Sequence, residues 1–529
     1  MAFILLLLAL AGIATGAASA QTAPEERTAQ ELERVRAEPL ALREFLVRMP
    51  KGADLHNHLD GAVYAETFIR VAGEDGLCVD QAANAFTKSQ PVDAGAEPQP
   101  VCEAGDVPAA EVPKNQHLYD TLVDSFSMRG FVPSEGVTGH DHFFATFAKF
   151  GDTDPRHTGD FLDEVTTRSA AQNEQYLELM ETPTWNRLNT ITKGLTWHED
   201  LSALRGELLA KGLADDVPAA RAFWDEAESV RRQRGRCGEP DAAPACKVEA
   251  RYIYQVFRNT PKELVFVQAL FGFELASADP HVVAINFVGA EDNYISMADY
   301  TEQMRMVGFL RALYPKVHVS LHAGELAPGL VPPEALCCHI RLAVEQAHTD
   351  RIGHGVDAIY EDRPYELLQD MAAKHILVEI NLTSNDDILG ISGKNHPFPL
   401  YRKFGVPIAL STDDEGVSRI DLTHEYVRAI ETYGLNYADL KQLVRASLPG
   451  DSLWHAPGDF ARVVPDCQSD MPGADKPSSS CAAFLTASEK AEQQWELERG
   501  FMSSRRRSTE AAECPLPRNG ITSALRRTS

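Results

Sequence analysis

The sequence predicts an α/β chain closed into a TIM-type (β/α)8 barrel, and three observations carry that expectation. Short apolar or β-prone stretches alternate with helix-patterned ones along most of the chain. Eight of the short stretches can be counted, the number a closed barrel needs. No Gly-rich phosphate turn follows the first of them, as an open doubly wound sheet would normally show.

In chain order the eight stretches are GADLHNH, QYLELMET, ELVFVQALFGF, HVVAINFVG, KVHVSLHAGE, DRIGHGVDA, ILVEINLTSN and VPIALSTDD. Helical patterns separate them, such as MADYTEQMRMVGFLRALY before the fifth and RPYELLQDMAAKH before the seventh. The barrel is expected over residues 51–455, interrupted at about 73–115 by an insertion rich in Ala, Gly, Pro and Asp. Before it, residues 21–50 carry Leu32, Val35, Leu40 and Leu46 at helical spacing, with a break expected near Pro39. After it, residues 456–529 lose the rhythm. LTASEKAEQQWELERGFM reads as one helix, and the stretch from SSRRR to the end reads as a disordered tail.

Residues 1–20 read as a cleaved signal peptide. An apolar run through Leu10 is followed by small residues, with ASA before Gln21, although no Lys or Arg precedes the run. The mature chain is therefore expected in an exported, periplasmic or secreted location, without a later membrane span. In such a compartment the nine cysteines become disulfide candidates. Cys78 and Cys102, Cys237 and Cys246, and Cys467 and Cys481 each bracket a loop, so local pairing is the simplest connectivity. Adjacent Cys337 and Cys338 are not expected to pair with each other, and Cys514 is left free or joined to one of them. The formal net charge of −27 argues against nucleic acid or an anionic membrane as partner. Hydrophobic and charged contents of 44% and 24% are those of an ordinary globular protein.

The chemistry sits where a barrel places it, at the C-terminal ends of the strands. The first stretch ends in His56, Asn57 and His58, followed by Asp60; on a strand the two histidines share a face. The fifth ends in HAGE, with His322 and Glu325; the sixth carries His354 in GHG; the eighth ends in STDDE, with Asp413 and Asp414. Three imidazoles and one carboxylate (His56, His58, His322, Asp413) suit zinc or another borderline divalent metal. Glu325, His354 and Asp414 are then free for proton transfer and substrate alignment.

HNHLDG, HAGE, GHG and STDD, in this order and spacing, resemble the adenosine/adenine deaminase family of metal-dependent amidohydrolases, over about residues 48–435. The signal peptide, MPKGADLHNH and the cysteine-bracketed insertion resemble its secreted, growth-factor-type branch, whereas H-N-H-L-D is closer to the intracellular one. The resemblance implies one zinc ion per chain on His56, His58, His322 and Asp413. It implies Glu325 as the acid protonating purine N1, and His354 as the group that orients the zinc-activated water and takes its proton. It also implies substrate contacts from Asp414 to purine N7, Gly289 to purine N3 and Asp60 on the ribose side. The implied reaction is hydrolysis of adenosine, with its 2′-deoxy form, to inosine and ammonia. The partner expected is a small purine nucleoside, with no nucleic acid, no membrane once the signal is cleaved, and a homodimer as an open alternative. Another aminopurine (adenine, an adenosine nucleotide or a modified adenosine) and an extracellular binding or signalling protein on the same fold are the competing readings.

Overall fold

Eight parallel strands follow one another around a single sheet in chain order. They are β1 (Ala53–His58), β2 (Tyr176–Glu181), β3 (Glu249–Phe257), β4 (Val282–Val288), β5 (His318–Ala323), β6 (Arg351–His354), β7 (Leu377–Ile380) and β8 (Ile408–Leu410). This computed structural model describes residues 23–89, 101–153, 155–183, 185–449, 453–456 and 458–513. The expected signal peptide and Cys514 therefore lie outside the described residues.

The sheet closes on itself just past β8. Asn57 and Asp413 form a parallel bridge, with the His58 amide donating to Asp413 O at 3.0 Å and the Asp413 amide to His56 O at 2.8 Å. The chain is thus a TIM barrel, and its seam runs through two of the polar strand ends. Closure leaves no sheet edge there and fixes β1 against the residues after β8.

Seven of the eight expected stretches supply barrel strands; the third does not. ELVFVQALFGF lies in a helix, Lys262–Ala278, and the third strand is EARYIYQVF. The physical reason is burial on nearly every side: Leu264 through Phe273 are all buried beneath β3, β4 and the helix Tyr294–Leu313. A helix covered all round loses the apolar stripe that would betray its period, and its short apolar run reads like a strand.

Around the barrel the remaining elements follow local chemistry. The N-terminal segment forms helices Ala23–Val35 and Pro39–Arg48, with Pro39 in the first turn of the second, where its missing N–H costs nothing. The insertion carries a small antiparallel sheet of Cys78–Asp80, Ala85–Thr87 and Val107–Pro108. Cys78–Cys102, Cys237–Cys246 and Cys467–Cys481 join as expected, each closing a local loop. Cys337 and Cys338, contrary to expectation, also form a disulfide with each other. Cys338 has φ 89°, a left-handed backbone conformation that non-glycine residues seldom adopt. The C-terminal extension folds back as a satellite cluster of Leu453, Trp454, Cys467, Cys481 and Trp495. Its last helix, Glu489–Glu513, continues eleven residues into the stretch expected to be disordered. No described helix is long and apolar enough to cross a membrane.

Candidate metal centre and active site

The polar strand ends meet at one rim. His56, His58, His322 and Asp413 form a cluster whose ligand atoms all lie within 4.8 Å of one another. His322 Nε2 is 3.1 Å from His56 Nε2 and 3.3 Å from His58 Nε2, and both of those nitrogens are 3.4 Å from Asp413 Oδ1. Four donors placed tetrahedrally at zinc distances of about 2.0–2.1 Å stand about 3.3 Å apart, so the spacing fits such an ion. Three imidazole nitrogens crowded this closely, with a carboxylate among them, make sense around a shared cation.

The opposite side of each ring is anchored. His56 Nδ1 lies 2.7 Å from Glu379 Oε2, His58 Nδ1 3.1 Å from Gln255 Oε1, and His322 Nδ1 2.8 Å from Asn286 Oδ1. An acceptor on Nδ1 places the ring hydrogen there and leaves Nε2 bare for a metal. Glu379 is itself held by Ser320 Oγ at 3.0 Å and by Arg351 Nε at 2.8 Å. Without a cation, the carboxylates of Asp413 and Glu379 outweigh burial and push the His56 imidazole up to about 10, whereas burial and the neighbouring rings push His322 well below its usual range.

Sequence reasoning missed Glu379, Gln255 and Asn286. A signal was present: each is a lone polar residue inside an otherwise apolar strand, in LVEI, YIYQVF and VVAINFV. Nothing local tells such a residue from a satisfied core polar group, because its partner lies on another strand.

Beside this cluster, His354 and Asp413 both take left-handed backbone conformations, with φ 66° and 62°. Non-glycine residues held there are strained, and such residues gather at functional sites. His354 Nδ1 is 2.9 Å from Asn385 Nδ2, and His396 Nε2 is 3.0 Å from Asn385 Oδ1. With His396 donating to the amide oxygen, the Asn385 amide donates to His354 Nδ1, which puts the ring hydrogen on Nε2, facing Asp413 Oδ2 at 3.9 Å. Burial lowers this imidazole to about 3, so it is neutral.

Glu325 lies 3.5 Å from His354. Burial, reinforced by Asp413 and Glu291, pushes its carboxyl well above the usual range, which favours the protonated form. Asp414 is raised the same way, by burial and then by Asp413, and its Oδ1 has no hydrogen-bond partner among the described residues. A Cβ on Gly61 would come within 1.6 Å of that oxygen, so glycine is what lets Asp414 point inward. Asp60 sits exposed in the short helix Leu59–Ala62 at the rim, hydrogen-bonded to Glu181 at the end of β2. Gly289 follows β4 with φ 100°. All nine residues singled out in the sequence thus lie at or just beyond the C-terminal ends of barrel strands. A cavity of about 1370 Å³ lies at the other end, against the strand starts Tyr176, His318, Arg351 and Leu377.

Residues 235–454 match the family model described as adenosine deaminase. The adenosine deaminase of Shewanella loihica is 32% identical over 168 residues, which span 31% of this chain and 45% of that protein. That of Escherichia coli strain SMS-3-5 is 36% identical over 135 residues, 25% of this chain and 37% of the relative. The matched regions therefore cover less than half the length of these curated relatives. Among solved structures, an amidohydrolase from Burkhoderia ambifaria with bound Zn aligns at TM-score 0.49 and 17% identity, over 88% of this chain and 95% of that one. Residues 235–454, which carry β3 to β8 and with them His322, Glu325, His354, Asp413 and Asp414, are thus the part of the chain similar to adenosine deaminases.

Proposed function

We propose that this protein hydrolyses the exocyclic amine of adenosine, and of 2′-deoxyadenosine, releasing ammonia and leaving inosine or its deoxy form. The observation that carries the reading is a four-donor cation cage next to the buried carboxyl of Glu325. Zinc suits the donor set, and a zinc ion bound there supplies a water whose pKa is lowered to about 7.

The chain's own residues account for the rest. Neutral His354, donating through Nε2, orients the attacking water. Glu325 gives its proton to purine N1, so that C6 can accept the incoming oxygen. Over the cycle, the water's two hydrogens replace the one Glu325 gave and supply the one the departing amine takes. Asp414, which burial and Asp413 push toward its protonated form, offers a donor to the acceptor N7. At the rim, Asp60 and Glu181 present carboxyl oxygens to sugar hydroxyls; hydrogen-bonded to each other they share one proton, and the negative charge the pair keeps disfavours a 5′-phosphate.

Purified protein assayed for ammonia release from adenosine, 2′-deoxyadenosine, adenine and AMP tests this reading. The two nucleosides should react fastest; AMP as the preferred substrate, or no release from any of the four, overturns it. We also propose export, which the four disulfides support. Mass spectrometry of native protein should find a mature start near Gln21; Met1 intact with every cysteine reduced rejects export.

A further inference from the structure

The loop after β5 carries Glu325 at its start and the Cys337–Cys338 disulfide at its end. Both cysteines are half-buried, within reach of small solutes. The pair opens the helix His339–Glu345, and that helix start is wired back to Glu325.

The wiring runs through two carboxylates. Glu361 accepts from the amides of Cys338 at 2.9 Å, Ile340 at 2.7 Å and Arg341 at 3.2 Å, which pins the turn carrying the disulfide. Between those amides, His339 Nδ1 lies 2.6 Å from Glu291 Oε1, and its ring stacks on Tyr300 with centroids 3.6 Å apart. Glu291 in turn accepts from the amides of Gly324 at 3.0 Å and Glu325 at 2.7 Å. One buried carboxylate therefore ties the residue beside the disulfide to the backbone that aims Glu325.

We propose that Cys337–Cys338 is a thiol–disulfide exchange site through which redox state sets the position of Glu325. Closed, the ring holds Cys338 at φ 89°, a conformation that non-glycine residues seldom adopt unaided. A small dithiol opens it in two steps. One of its thiolates attacks a cysteine sulfur, breaking the S–S bond and forming a mixed disulfide. Its second thiolate then displaces that cysteine, so the reagent leaves as its own disulfide and the protein keeps two thiols. Once open, Cys338 is free to return to negative φ, the helix start loosens, and His339 no longer holds Glu291 in register with the Gly324 and Glu325 amides. The inference rests on the deaminase reading only for its activity assay.

The test uses the full-length, zinc-loaded protein equilibrated with a dithiol and its cyclic disulfide at stepped ratios. Each sample is divided for alkylation and peptide mapping of all four disulfides, for amide hydrogen exchange over residues 320–330, and for adenosine turnover with zinc content. Opening of Cys337–Cys338 should speed exchange at the Gly324 and Glu325 amides. It should also lower kcat at least threefold at constant zinc, and reoxidation should reverse both changes. Cys337→Ser/Cys338→Ser should stay at the low value and ignore the reagent. Unchanged exchange with the pair mapped as open overturns the proposal, as does an equal response in the serine variant. If that variant fails to fold, the wild-type mapping and exchange decide alone. They also decide if the protein proves not to deaminate adenosine, so the two readings fail separately.

Discussion

Glu325→Gln is expected to lower kcat by roughly 10²–10⁴-fold, the range of a lost general acid, while the protein keeps its zinc. The exchange is nearly isosteric, and Glu325 is not one of the four clustered donors. What changes is the proton. Burial and the nearby Asp413 and Glu291 push the Glu325 carboxyl toward its protonated form, from which it can give a proton to a ring nitrogen. An amide donates a hydrogen bond but not a proton. Steady-state kinetics beside metal analysis of the same preparation checks this; a zinc-replete variant within tenfold of wild type would remove Glu325 from the chemistry.

Asp413 and Asp414 are adjacent but should fail differently. Asp413→Ala should lose zinc and turnover together, because one of four donors and its negative charge disappear. Asp413 also holds the barrel seam at φ 62°, so Asp413→Asn, which tolerates that conformation, separates lost ligation from lost closure. Asp414→Ala should keep its zinc and lose at least about fivefold in kcat/KM, since leaving the buried purine acceptor without its donor costs about 1–3 kcal/mol. Gly61→Ala should resemble Asp414→Ala, because its methyl group takes the space of the Asp414 carboxyl. Zinc-replete Asp413→Ala with zinc-free Asp414→Ala would reverse the two roles.

The sequence by itself determined the barrel and the contents of its rim. Alternation of strand and helix patterns is local, and polar residues at strand ends stand out because an apolar residue would serve the core better there. His56, His58, His322, Glu325, His354, Asp413 and Asp414 were legible for that reason, together with the donor types a divalent metal requires. The third strand was not legible, because the helix Lys262–Ala278 is buried on almost all sides and shows no polar face. Only the tertiary structure decided what anchors the rings. Glu379 lies 323 residues from His56 in the chain, and their 2.7 Å contact exists only because β7 and β1 face one interior. The same holds for the seam, where β1 meets Asp413 across the whole length of the barrel, and for Cys337–Cys338. Two adjacent cysteines read as unable to pair until the backbone takes a left-handed turn at Cys338, in a turn pinned by Glu361 from farther along the chain. Local pattern carries burial and residue type; contacts between distant segments arise from closure of the sheet, which no short stretch encodes.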